Sequence, residues 1–260
     1  MDTILKVSGI TKQFPGVKAL DNVSFDVERG EVHAVVGENG AGKSTLMKIL
    51  GGLYPADFGE ITINGKKTAI RGVLDSLKSG ISVIYQEFNL VPMLTVAENI
   101  FLTRLPGKSG VVNRKKLNEK CSELMHELKL DINPSAMVSE LSVSEMQMVE
   151  IAKAVSFDSA IVIMDEPTAS LNDKEVATLY RLIDDLKKRG TTILYISHRM
   201  KEIFDLSDRI TVLRDGCKIG TYNTNEITEE ELIHKMVGRD ITKFYHSNDD
   251  ESSETGEVVL

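Results

Sequence analysis

The sequence predicts an α/β fold whose mainly parallel, helix-covered sheet carries an antiparallel β subdomain and an inserted α-helical subdomain. Three observations predict it. Four short runs, HAVVG (33–37), ISVIY (81–85), AIVIM (160–164) and TILYIS (192–197), are almost continuously apolar, as strands buried on both faces are. ILKVSGI (4–10), VSFDVER (23–29) and GEITING (59–65) alternate apolar and polar residues instead, which predicts antiparallel strands with one wet face. Between Thr95 and Phe157 the strand signal disappears and helical spacing takes over.

In chain order, the two alternating runs lead into HAVV, a glycine-rich turn and the helical LMKIL, and GEITING and ISVIY follow. The helical block runs through VAENIFL, then Asn113 to Leu130, then Ser142 onward. AIVIM and TILYIS return the chain to the sheet, DRITVLRDG (208–216) predicts a strand ending in a turn, and TEEELIHKMVG (228–238) a capped final helix. These boundaries predict one domain over 1–240 with its helical insertion at about 95–157. Residues 241–260 read as an acidic, aperiodic linker, HSNDDESSETGE, followed by EVVL. That ending resembles the onset DTILKVSGI and suggests the start of a second, similar domain.

A chain of 260 residues, 42% hydrophobic and 27% charged, can bury one large core. Its net charge of −8 opposes nucleic acid as a partner, since the only compact basic run, Arg114 to Lys116, reads as the solvated start of a helix. No apolar stretch reaches the roughly 18 residues of a membrane span, and Asp2, Lys6 and Lys12 interrupt any signal-peptide pattern. The chain is therefore expected to be cytosolic, with any membrane role coming through a partner. Cys121 and Cys217 have no metal-type spacing and read as free thiols.

The strongest chemical signal is GENGAGKST, Gly37 to Thr45, set between an apolar strand and a helix. It matches the phosphate-loop pattern in the strand-to-helix context that supports it. Glycines Gly37, Gly40 and Gly42 let the backbone turn tightly, so that amides from about Asn39 through Ala41 to Thr45 face one concavity suited to phosphate oxygens. Lys43 is placed to reach the β- and γ-phosphates and Ser44 to ligate Mg²⁺. The buried run AIVIMDEP ends in Asp165 and Glu166, at the strand end where ligands of parallel sheets bind. Asp165 is the expected metal partner, and Glu166 the carboxylate that polarises water. Gln86 and His198 each follow an apolar strand, and Phe14 precedes the turn PGVK. Alone, these three read more readily as a polar strand cap, a partly exposed histidine and a packed aromatic.

The order of these features, with LS at a helix start and SLND after the Asp-Glu pair, resembles the nucleotide-binding domain of ATP-binding cassette (ABC) proteins over nearly all of residues 4–240. The resemblance implies a P-loop NTPase fold, ATP and Mg²⁺ as ligands, and Lys43, Gln86, Glu166 and His198 as catalytic residues. It implies that Phe14 stacks on adenine, that Gln86 joins Ser44 and Asp165 at Mg²⁺, that His198 touches the γ-phosphate, and that Ser170 to Asp173 cross to a partner. MQMVEIAKAVS (146–156), ENIFLTRLPGKSGVVNRKKL (98–117) and MVGRDITKFY (236–245) look like the N-terminal cassette of tandem ATPases that energise ribose- and galactose-type importers. That likeness implies a second cassette, an integral membrane permease contacted near Glu87 to Asn99, an external sugar-binding protein, and a place on the cytoplasmic face of the membrane. A regulatory cassette that binds ATP with negligible hydrolysis is the alternative.

One departure stands out. Where the family has LSGGQ, this chain has LSVSE, with Val143 and Ser144 in place of both glycines and Glu145 in place of glutamine. Ser142 and Glu145 form the S-x-x-E of a capping box, and Met148, Ile151, Ala152 and Val155 keep an apolar face. A sound helix is expected, with close backbone approach to a phosphate lost and a carboxylate added.

Overall fold

The structure, a computed structural model, describes residues 2–108 and 111–238. The linker and EVVL expected at 241–260 lie outside the described residues. The chain opens with two long strands, β1 (Thr3–Phe14) and β2 (Val17–Glu28), then β3 (Val32–Val36) and α1 (Lys43–Leu50). Strands β4 (Phe58–Ile63) and β5 (Lys66–Thr68), helix α2 (Val73–Lys78) and strand β6 (Ile81–Ile84) follow. The next block holds α3 (Val96–Ile100), a small hairpin of β7 (Gly107–Lys108) and β8 (Val111–Val112), α4 (Arg114–Glu127) and α5 (Val143–Val155). The chain then forms β9 (Ile161–Asp165), α6 (Asp173–Lys188), β10 (Thr192–Ile196), α7 (Met200–Leu206), β11 (Arg209–Arg214), β12 (Cys217–Asn223) and α8 (Glu229–Val237).

Two larger sheets result. A six-stranded sheet has the order β12-β11-β3-β10-β9-β6, parallel throughout except for the edge strand β12. An antiparallel sheet has the order β2-β1-β4-β5. The apolar runs form the parallel strands because both of their faces are covered. Along β3, Val32, Ala34 and Val36 join the core shared with the helices of the 96–155 block, while Val35 joins the core shared with α1 and the antiparallel sheet. Ile193 and Tyr195 of β10 likewise face one core and Leu194 and Ile196 the other. Each such side chain contributes about 1.5–3 kcal/mol by leaving water.

The 96–155 block is mostly helical, as the spacing predicts, but the hairpin β7–β8 interrupts it where a helix-only stretch is expected. Its valines, Val111 and Val112, are exposed, so no apolar alternation against a core marks it in the sequence. Asn113 caps α4 by accepting from the Lys116 N–H at 3.0 Å, which places the RKK run on the first turn of a solvated helix. Cys121 is buried, Cys217 exposed, and both are free. Among the described residues no helix is long and apolar enough to cross a membrane.

Candidate functional site

Four adjacent parallel strands deliver the candidate residues to one edge of the sheet. In spatial order, β3 ends at the glycine-rich loop, β10 at His198, β9 at Asp165 and Glu166, and β6 at Gln86. Because the strands are parallel, all four carboxyl ends open on the same side, the position where ligands of such sheets bind.

The loop is shaped by its glycines. A Cβ on Gly37 would lie 2.2 Å from the Leu213 carbonyl oxygen, and one on Gly42, at φ +101°, would lie 2.6 Å from the Ala19 carbonyl oxygen. Only a residue without a side chain fits either place. The Ala41 N–H donates to the Glu38 carbonyl at 3.1 Å, closing the turn, and the Leu46 N–H donates to Gly42 at 2.9 Å as α1 begins. Asn39, Gly40 and Ser44 are exposed, Thr45 is half-buried, and Ala41 is packed into the core. Lys43 curls back over the loop, donating from Nζ to the carbonyls of Gly37 at 2.7 Å and Glu38 at 3.0 Å. Burial pulls its ammonium below the ordinary lysine range, opposed by the carboxylates of Glu166 and Asp165.

Asp165 is buried at the end of β9, and burial, reinforced by the neighbouring charge of Glu166, raises its carboxyl above the usual range. Lys43 and Lys48 oppose that rise. Glu166 adopts φ +49°, a left-handed conformation rare outside glycine and associated with functional sites. Its N–H donates to the Ile196 carbonyl at 2.9 Å, tying β9's exit to β10's. Its carboxylate lies between the other two candidates. Gln86 donates from Nε2 to Glu166 Oε2 at 3.3 Å, and His198 Nδ1 lies 3.3 Å from Glu166 Oε1.

A cleft of about 700 Å³ borders this edge, and its lining includes Ser44, Gln86 and Asp165 together with Asn89, Glu150 and Lys153. Ser44, Gln86 and Asp165 offer a hydroxyl, an amide and a carboxylate, all hard oxygen donors. Among the described residues no cluster of three or more His, Cys, Asp or Glu side chains could cage an ion. A sparse oxygen set opening on a cleft suits Mg²⁺, which keeps most of its shell for water and substrate phosphates. Those residues could hold it.

Phe14 does not line the cleft itself but is half-buried at the end of β1 against Tyr54, which does. Its ring meets Tyr54 edge-on at 5.4 Å, and Lys12 and Lys48 flank the pair, each Nζ lying over one ring at 5.5 and 5.7 Å. At the other candidate surface, α5 begins as the sequence predicts. The Ser142 N–H donates to Glu145 Oε2 at 2.8 Å, and the Glu145 N–H donates to Ser142 Oγ at 3.3 Å. The Ser142 hydroxyl also donates to Glu145 Oε2 at 2.7 Å, so both of its hydrogen-bonding roles are taken inside the chain. Val143 is exposed beside it.

Several site-shaping residues carry no sequence signal. Glu150 is buried and accepts the Asn89 N–H at 2.6 Å, while Lys153 donates to the Asn89 carbonyl at 2.7 Å. The loop after Gln86 is thereby clamped to α5. Asn99 braces the same loop, accepting from the Val91 N–H at 2.7 Å and donating to the Val91 and Thr95 carbonyls. Their spacing repeats no motif. The one available hint is that Glu150 falls within the apolar run of α5, between Val149 and Ile151.

The sequence profile described as ABC transporter matches residues 20–169, more than half of the chain. The chain is 50% identical over 260 residues to a putative ribose/galactose/methyl galactoside import ATP-binding protein of Burkholderia lata, covering 100% of this chain and 49% of that protein. It is 49% identical to a galactose/methyl galactoside import ATP-binding protein of Clostridium tetani, covering 99% of this chain and 51% of that one. The chain thus spans about half the length of the curated relatives it matches. Among solved structures, a nucleotide-free ATP-binding cassette from an ABC transporter superposes with a TM-score of 0.79 at 28% identity, covering 94% of this chain and 98% of that one. Another, the ADP conformation of an ABC transporter cassette, gives 0.77 at 28% identity, covering 95% and 99%. The profile match, whole-chain likeness and shared fold agree, and the chain belongs to the ABC transporter family.

Proposed function

We propose that this chain binds and hydrolyses ATP to energise import of a monosaccharide through a separate membrane permease. One observation carries the hydrolytic part: a single carboxylate, Glu166, is held between Gln86 and His198 at 3.3 Å each, at the sheet edge where the glycine-rich loop also opens. In this reading Lys43 exchanges its two carbonyl partners for phosphate oxygens. Glycines Gly37, Gly40 and Gly42 let the amides of Asn39 to Thr45 cradle the phosphates, and Phe14 stacks on adenine beside Tyr54. Glu166 orients the attacking water and accepts its proton, Gln86 positions that water, and His198 contacts the γ-phosphate. Ser44, Asp165 and Gln86 would hold Mg²⁺, which when bound would supply charge neutralisation at the phosphates.

Residues 1–240 are assigned to one ATPase domain, with about 95–157 as its helical insertion, and 241–260 to a linker entering a second cassette. A second cassette fits the doubled length of the relatives. It would also supply the signature that LSVSE supports poorly, because the Ser142 hydroxyl is engaged by Glu145 and no glycine lets the backbone approach a phosphate. The transported sugar follows the ribose and galactose names of the relatives. The permease would meet the cleft around Glu87 to Asn99, placing the chain on the cytoplasmic face of the membrane, with an external sugar-binding protein as an indirect partner. The comparisons lend no support to a cassette of negligible hydrolysis.

The test is Glu166→Gln in the full-length protein. ATP turnover should fall by about 10²- to 10⁴-fold, the usual contribution of a general base, with ATP affinity retained. Turnover within twofold of wild type would remove Glu166 from its role.

A further inference from the structure

Beneath the site lies a buried carboxylate that none of the proposed chemistry uses. Glu202, on α7, is only 3% exposed. Its Oε1 accepts from Thr168 Oγ1 at 2.7 Å and from Arg199 Nη1 at 3.3 Å. Its Oε2 accepts from Ser197 Oγ at 2.7 Å and from Tyr195 Oη at 2.9 Å. Thr168, Ser197 and Tyr195 are themselves buried.

The donors' addresses matter more than their number. Thr168 stands two residues after Glu166, and Ser197 immediately precedes His198. One carboxylate therefore bonds both segments: Oε1 takes Thr168 from the Glu166 side and Arg199 from the His198 side, and Oε2 takes Tyr195 and Ser197 from the strand end carrying His198. The Glu166 N–H bond to Ile196 ties the same two segments from above. A carboxylate withdrawn from water is costly unless charge-assisted donors compensate it, and an apolar side chain could fill the same volume. A left-handed residue such as Glu166, at φ +49°, persists only where its surroundings over-determine it.

We infer that Glu202 is a positioning residue, which sets the separation of Glu166 and His198 by clamping Thr168 and Ser197 from below. The inference rests on the ATP-hydrolysis reading. The hydrogen bonds of Glu202 go to Thr168, Tyr195, Ser197 and Arg199, and the glycine-rich loop is closed by bonds of its own, from Ala41 to Glu38 and from Lys43 to Gly37 and Glu38, so loosening the clamp moves the reacting groups without dismantling the phosphate cradle. Displacing such groups by an ångström costs up to about a hundredfold in rate.

The experiment compares Thr168→Val, Thr168→Ser, Glu202→Gln and Glu166→Gln in the full-length protein, measuring kcat, KM for ATP, ATP affinity by titration, and melting temperature. Thr168→Val keeps the residue's shape and removes only the hydroxyl, so it answers the question even if Glu202→Gln does not fold. Thr168→Val should lower kcat by roughly ten- to a hundredfold, with KM and ATP affinity within about twofold of wild type. Thr168→Ser, which restores the hydroxyl and omits the methyl, should recover most of the rate. A merely structural role would instead make Thr168→Ser as poor as Thr168→Val, or lower ATP affinity in step with kcat, and either result overturns the clamp. If Glu166→Gln abolishes turnover while Thr168→Val turns over like wild type, the clamp alone fails. Turnover that survives Glu166→Gln overturns the hydrolysis reading and the clamp with it.

Discussion

Replacing Gly37 by alanine sets the glycine-rich loop against the sheet that supports it. The new Cβ would lie 2.2 Å from the Leu213 carbonyl oxygen and 2.9 Å from the Ala41 Cβ, against 3.4–4 Å for ordinary contact. Neither neighbour can retreat cheaply. Leu213 belongs to β11, whose Val212 is paired with Val36 of β3 one residue before the substitution, and Ala41 is packed into the core. Overpacking of this kind costs about 1–3 kcal/mol, and the backbone conformation, at φ +156°, adds about 1–3 kcal/mol for a residue with a Cβ. The sum of about 2–6 kcal/mol lowers the melting temperature by about 4–24 °C in a domain of this size. Gly40→Ala is the matched control. Gly40 also has positive φ, +85°, but its added Cβ meets nothing within 4 Å, so only the backbone strain of about 1–2 kcal/mol remains. Thermal unfolding followed by circular dichroism, with and without ATP, compares the two. Equal melting temperatures, or a Gly37→Ala protein more stable than Gly40→Ala, would refute the close-approach argument.

Other substitutions reach different parts of the site. Phe14→Ala should weaken ATP binding by about 5- to 150-fold, the value of one base-aromatic stack of about 1–3 kcal/mol, and calorimetric titration of Phe14→Ala and Phe14→Tyr tests it, the tyrosine keeping most of the affinity. Burial raises the Glu150 carboxyl above its ordinary range, so the folded state holds its proton longer than the unfolded chain does. Its contribution to stability is therefore full below the ordinary carboxylate range and is lost as pH rises through the elevated value. Glu150→Gln keeps an acceptor for the Asn89 N–H and should flatten that decline in melting temperature between acid and neutral pH. Glu145→Ala removes half of the capping box and should destabilise by about 0.3–1.5 kcal/mol at neutral pH. The Ser142 hydroxyl, then its N–H, holds the Glu145 carboxyl below the usual range, so its cap is present at neutral pH and fades as pH falls through that depressed value. Wild type and Glu145→Ala should converge in melting temperature toward acid.

How much of this was legible in the sequence depended on which force placed each element. The parallel strands announce themselves because burial on both faces demands unbroken apolar runs, and the capping boxes at Ser142 and Thr228 announce themselves because a local hydrogen bond fixes a local spacing. The hairpin at 107–112 and the edge strand β12 do not, since neither presents an apolar face continuous enough to read. Helix α6 had a signal, with Leu179, Leu182, Ile183 and Leu186 buried at helical spacing. In the candidate site, the phosphate-loop pattern is compressed into nine consecutive residues, so the sequence displays it whole. The approach of Gln86 and His198 to Glu166 joins residues 80 and 32 positions apart in sequence, and only the strand order brings them together. Glu202 is the extreme case, its partners being assigned by the depth of one short helix beneath two loops.

The strand order also acts as a ruler. From β3 through β10 and β9 to β6 there are three inter-strand steps, so the glycine-rich loop and Gln86 spring from rails about 14 Å apart, a distance set by backbone hydrogen bonding rather than by side chains. Sequence drift in the loops cannot alter that gauge. Any response to a nucleotide has to appear beyond the ends of the strands, in the turn after Gln86 and the helix it is fastened to, while the span between them stays constant.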